Sequence, residues 1–277
     1  MLVDSHAHLT DEDYKDDLAA VAERWRRAGV GLVVTVGTDL EDSRRAVELA
    51  AGLADVRATV GLHPNEARKW HDGSFEQFKT LARHPRVVAI GETGLDHHYA
   101  PTPGDREFQA VVFREHIRLA RETGLPLMIH TRDAHEETLK ILKEERGRGT
   151  PDPPMDPPHS GRPVGLWGVI HCYTGDWQTA QRYLEMGFLI SFGGIVTFGK
   201  SAAALEETAR QIPAGGLVLE TDCPWLAPAP HRGGRNEPAY VALVAERVAA
   251  LKGVPRSEIE AASTANAKRI FRLGEEA

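Results

Sequence analysis

The chain has 277 residues, 42% of them hydrophobic, enough to bury a full core, and one barrel of ordinary size would use nearly all of it. A formal net charge of −7 excludes a passive nucleic-acid coat protein, because no global positive field recruits an anionic polymer and any such contact has to be local. Two cysteines exclude a disulfide scaffold, and with thirteen histidines they point to a reducing compartment and to metal.

The opening MLVDSHAHLTDED has none of the basic start, apolar core and small-residue cleavage site of a secretion signal. No later stretch approaches the roughly 18 apolar residues of a membrane span. Both observations predict a soluble, cytoplasmic protein with no membrane contact. From there short apolar runs alternate with longer segments of helical period, the pattern of repeated βα units. Leu2–Asp4 reads as a strand before a helix at Asp16–Ala28, and Leu32–Val36 precedes Ser43–Leu53. Arg57–Val60 precedes Phe75–Arg83, and Val87–Ile90 precedes Arg106–Thr123. Leu127–Ile129 is followed by Ala134–Glu145, Gly168–Ile170 by Thr179–Glu185, Leu189–Ser191 by Ala202–Ile212, and Leu217–Leu219 by Ala239–Leu251. Eight strands and eight helices predict an α/β protein, a single-domain (β/α)8 TIM-like barrel over residues 1–277.

Two segments stand outside the rhythm. Residues 146–163 carry Pro151, Pro153, Pro154, Pro157, Pro158 and Pro163; proline supplies no amide donor, so this stretch is expected to be an exposed loop insert. The helix left over at Arg256–Phe271 is expected to pack its apolar Ile259, Ala262, Ile270 and Phe271 against the outside of the barrel. One barrel closes its own core and leaves no long amphipathic element unused, which predicts a monomer with no obligate protein partner.

In a parallel barrel the reactive face is the one reached by the C-terminal ends of the strands, and metal-type ligands stand there. His6 and His8 end the first strand, their spacing of two placing both on one face of an extended chain. Glu92 follows strand four, His130 strand five, His171 strand six and Asp222 strand eight. Imidazole and carboxylate suit Zn, Mn or, with fewer nitrogens, Mg, and the lack of a cysteine cluster argues for an open, catalytic site. Six ligands are more than one tetrahedral ion needs, so two divalent ions bridged by Glu92 are expected. Asp222 is also placed to take the proton of an attacking water.

His63, in GLHP, reaches the same rim and is expected to orient a substrate oxygen or back up a ligand. Asp96, His97 and His98 follow Glu92 as second-layer or loop residues. Arg232 and Arg235, in HRGGRNEP after the last strand, are expected to hold substrate phosphate. Cys172 and Cys223 each follow a ligand directly, which on a strand turns them to the other side as buried apolar groups. Trp225, in DCPWLAP, is better placed than Trp167 or Trp177 to stack a base.

These residues fall in strings that resemble the TatD-type metal-dependent hydrolases, or TatD-related deoxyribonucleases, of the amidohydrolase superfamily. The strings are DSHAHL (4–9), GLHP (61–64), GETGLD (91–96), IHTRDA (129–134), HCYTG (171–175), SFGGIVTF (191–198), ETDCPWLAP (220–228), RNEP (235–238) and TANAKRIFRL (264–273). The resemblance implies His6, His8, Glu92 and Asp222 at one metal and Glu92, His130 and His171 at the other; on the reading of the residues themselves, Glu92 and Asp222 are the expected catalytic carboxylates. It also implies metal-dependent phosphodiester hydrolysis of DNA, by exonuclease attack. The Pro-rich insert looks longer than the family's connection, and HHY at 97–99 departs from its usual loop. The same metal rim would also serve hydrolysis of a carboxylic ester, lactone or amide, and a noncatalytic metal-binding scaffold is the reading of a different class.

Overall fold

A computed structural model of the chain describes residues 1–147 and 167–274. Its eight strands are β1 (Leu2–Ala7), β2 (Val30–Val36), β3 (Val56–Val60), β4 (Val87–Asp96), β5 (Leu127–Arg132), β6 (Gly168–Ile170), β7 (Phe188–Phe192) and β8 (Leu217–Leu219). They pair in sequence order, every pair parallel. The sheet curls until the chain after β8 meets β1: Ala7 bridges Cys223, and the Asp222 and Cys223 backbones bond those of His6 and His8 at 2.9 and 2.8 Å. The buried Asp4 carboxylate adds to this seam by accepting from the Thr221 amide at 2.9 Å and its hydroxyl at 2.6 Å.

The helices outside are α1 (Leu18–Arg27), α2 (Leu40–Gly52), α3 (Ser74–Leu81), α4 (Pro103–Thr123), α5 (His135–Gly147), α6 (Trp177–Glu185), α7 (Ala203–Gln211), α8 (Val241–Lys252) and α9 (Arg256–Phe271). Alternation along the strands divides the core in two. Val33, Ile129, Ile170 and Ile190 face the helices, whereas Leu32, Val34, Met128, Val169, Leu189 and Val218 fill the lumen.

Three strands run further at their C-terminal ends than their apolar runs suggest: β1 to Ala7, β4 to Asp96 and β5 to Arg132. Polar residues continue the pairing there because their side chains enter the site. Within β4 the register slips between Ile90 and Thr93. Gly91 lies within that slip and Gly94 just past it, with φ of 142° and 139°, and a Cβ on them would sit 2.3 Å from Met128 O and 2.0 Å from His130 O respectively, so only glycine fits.

The C-terminal helix departs from expectation. Ile259 packs with the outer core, but Ala267, Ile270 and Phe271 join the lumen residues, so α9 plugs the barrel at the end opposite the polar strand termini. Of the Pro-rich 146–163 segment, Arg146 and Gly147 close α5, and the rest lies outside the described residues. No helix among the described residues is long and apolar enough to cross a membrane.

Candidate metal centre

The polar ends of six strands deliver their side chains to one cavity of about 490 Å³. His6 and His8 meet through their Nε2 atoms at 3.1 Å, as their shared strand face requires. The buried Glu92 carboxylate lies at the middle. Its Oε2 is 3.4 Å from His6 Nε2 and 3.7 Å from His8 Nε2, while its Oε1 is 2.7 Å from His171 Nε2, 3.0 Å from His130 Nδ1 and 3.4 Å from His63 Nε2. Asp222 Oδ1 closes the first group, 3.4 Å from His8 and 3.6 Å from His6. Asp222, three residues past the end of β8, has φ of 56°, a left-handed conformation that a short polar side chain tolerates.

The electrostatics of the cluster are those of a cation site. Burial alone would raise the Glu92 pKa, but the field of His171, His63 and His6 holds it well below the carboxylate range. Asp222 is lowered in the same way, burial being overcome by the hydrogen bond from His8 and the charge of His6. Burial and the neighbouring His171 lower His6. Burial also acts on His171, yet Glu92 and Glu220 hold it well above its usual value. Two ionised carboxylates and crowded imidazoles, buried with His6 Nδ1 and His171 Nδ1 making no hydrogen bond among the described residues, form an all-N/O donor set that fits divalent ions. Three donor sets have all their ligand atoms within 4.8 Å: His6, His8 and Asp222; His6, Glu92 and His171; and His63, Glu92 and His130.

Behind the donors stand further carboxylates. Asp96, buried at the end of β4, places Oδ2 3.2 Å from His130 Nε2 and accepts the Tyr99 amide on Oδ1 at 3.1 Å. The Nδ1 of His130 is thereby left to face Glu92. Glu220, directly after β8 and two residues before Asp222, brings Oε1 to 3.6 Å from His171 Nδ1 while accepting the Ser191 hydroxyl and the Cys172 amide, each at 2.5 Å. Glu220 is absent from the sequence-derived set; the two-residue spacing that pairs His6 with His8 also points to it.

His63 sits deeper among the donors than a substrate-orienting role alone requires. Its Nδ1 accepts the Asn65 amide at 3.1 Å, so the proton of its neutral ring is on Nε2, toward Glu92; burial pushes its pKa down to about 3. The two arginines expected at phosphate stand elsewhere. Arg235 is forked onto Asp17 at 2.9 and 2.7 Å, Arg232 lies over the Phe198 ring at 4.1 Å, and neither lines the cavity. The cavity arginine is instead Arg132. His97 and His98 face Glu137 and Asp133, each at 3.4 Å, outside the cavity lining. Cys223 is buried in the outer core as expected, but Cys172 is not turned away: its φ of 44° swings it back into the cavity lining. Trp167 is buried, and Trp225 is half exposed.

Comparisons with known proteins agree with this architecture. A family model described as TatD related DNase matches residues 3–272. An uncharacterized metal-dependent hydrolase, YabD of Bacillus subtilis (strain 168), is 43% identical over 99% of this chain and 100% of its own length. A protein of Erwinia tasmaniensis named 3'-5' ssDNA/RNA exonuclease TatD is 34% identical over 98% of this chain and 100% of its own. The crystal structure of YJJV, a TatD homolog from Escherichia coli k12, superposes with a TM-score of 0.86 at 28% identity, covering 99% of this chain and 98% of that one.

Proposed function

The chain belongs to the TatD related DNase family and is a metal-dependent hydrolase, and from that premise we propose that it is a two-metal deoxyribonuclease that removes nucleotides from the ends of DNA. The observation that carries the reading is the division of the Glu92 carboxylate, with Oε2 turned to His6 and His8 and Oε1 to His130 and His171. In this reading His6, His8 and Asp222 would hold one divalent ion, His130 and His171 would hold the other, and Glu92 would be shared between them. Zn, Mn or Mg bound there would lower the pKa of water and polarise a phosphoryl oxygen. Asp222, ionised and open to the cavity, takes the proton of the attacking water as its oxygen bonds to phosphorus, and a proton passes to the leaving ester oxygen as its P–O bond breaks. His63, neutral with its proton on Nε2, steadies a substrate oxygen. The name of the Erwinia relative supports nucleic acid as substrate and an exonuclease mode of attack.

The test is hydrolysis of end-labelled single-stranded DNA by metal-stripped protein with Mg, Mn or Zn restored. Metal-dependent shortening from one end, lost in Glu92→Ala and reduced by at least about 10²-fold in Asp222→Asn, is the expected outcome. Turnover of carbonyl esters with no attack on any phosphodiester would overturn the DNA assignment.

A further inference from the structure

Among the described residues, the cavity is lined by a single arginine or lysine, Arg132. Its position follows from strand periodicity: Met128, His130 and Arg132 share one face of β5, the first in the lumen, the second among the donors, the third exposed at the mouth. The guanidinium lies 5.2 Å over the ring of Tyr99, itself 61% exposed, and has no carboxylate partner among the described residues. Arg24, Arg26, Arg114 and Arg235 are each bound to one. A stacked, unpaired guanidinium presents its donors to a ligand rather than to the protein.

Trp225 stands at the other side. It follows β8 at the seam with β1, which lies across an eight-stranded barrel from β5. Its ring meets His8 edge-on at 4.9 Å, lines the same cavity and is 50% exposed. A large aromatic face half in water beside the donor cluster is available to stack a planar group.

We propose that Arg132 takes a phosphate oxygen of the substrate and that Trp225 stacks a nucleobase of the same strand, so that the strand crosses the donor cluster between them. The Trp225 half rests on the nuclease reading; the Arg132 half needs only a phosphoester. Arg132 thus fills the role expected of Arg232 and Arg235, and it supplies local positive charge in a chain whose net charge is −7.

Steady-state hydrolysis of a single-stranded oligonucleotide and of its abasic counterpart, which keeps the phosphates and lacks the bases, separates the roles, with bis(4-nitrophenyl) phosphate as a small diester whose rings can themselves stack. Trp225→Ala is expected to raise KM for the oligonucleotide about tenfold more than for its abasic counterpart, with Trp225→Phe recovering most of the difference. Arg132→Ala is expected to raise KM about tenfold for all of these substrates. It should also flatten the dependence of log KM on log salt for the oligonucleotide by about 0.7, with Arg132→Lys intermediate. KM and salt slope unchanged in Arg132→Ala would overturn its assignment, and equal losses on the oligonucleotide and its abasic counterpart in Trp225→Ala would overturn stacking. A wild-type protein that cleaves the small diester but not the oligonucleotide removes the nuclease reading and the Trp225 half together, leaving Arg132 to be judged on the diester alone. Failure on all of these diesters, with no binding of inorganic phosphate by calorimetry, would overturn the Arg132 assignment as well.

Discussion

His116 shows how one side chain outside the site carries a pH dependence. It is buried on α4, donates from Nδ1 to Val112 O at 2.9 Å and accepts the Leu62 amide on Nε2 at 3.1 Å. Both bonds require the neutral ring, and burial lowers its pKa to about 4. The unfolded chain takes up this proton near pH 6.5, the folded one only near 4, so the contribution is complete above 6.5 and is lost as pH falls through that window. About 3 kcal/mol of stability is expected to go. Denaturant titrations at pH 7 and pH 4 should show a loss that His116→Asn reduces. Asp96 acts on the centre through His130. With the carboxylate 3.2 Å from Nε2, Asp96→Ala is expected to weaken metal binding about 10- to 100-fold, read by competition with a chromophoric chelator. Unchanged affinity would leave Asp96 as a loop anchor for Tyr99 only.

At the level of elements, β4 and α9 hold opposite ends of the barrel. The slip in β4 between Ile90 and Thr93 lets Glu92 reach the centre while the strand continues to Asp96. Helix α9 closes the other end with Ile270 and Phe271. Phe271→Ala should therefore leave an unfilled cavity at the base of the lumen and cost about 3–5 kcal/mol, measured by chemical denaturation. Metal content should stay unchanged, because the donors lie at the far end. A loss of metal without a loss of stability would contradict the assignment of α9 as a plug.

For the molecule as a whole, the centre ties β1 to β4, β5, β6 and the end of β8, joining residues from His6 to Asp222. Ions that bind the folded chain alone stabilise it by mass action, about 2.7 kcal/mol at a hundredfold excess over Kd. For a domain of this size that is expected to raise Tm by about 5–10 °C. Scanning calorimetry with and without Mn or Zn checks it; Glu92→Ala should lose most of the increment, and an equal rise in that variant would place the ions elsewhere.

The barrel was legible because its information is local. Apolar runs alternating with helical period need only neighbouring residues to be read, and period two along a strand places His6 with His8 without knowledge of the fold. Partner choice is not local. Arg235 is occupied by Asp17 from the first helix region, and Arg132 is left free by the absence of such a partner among the described residues. A left-handed turn returns Cys172 to the cavity, and α9 reaches the lumen rather than the outer wall. Sequence by itself determined which chemistry stands at the strand ends, since strand geometry dictates which way alternate side chains point. Only the tertiary structure decided which charges remain available to a substrate, because a charge is neutralised by whatever folding brings beside it, however distant along the chain.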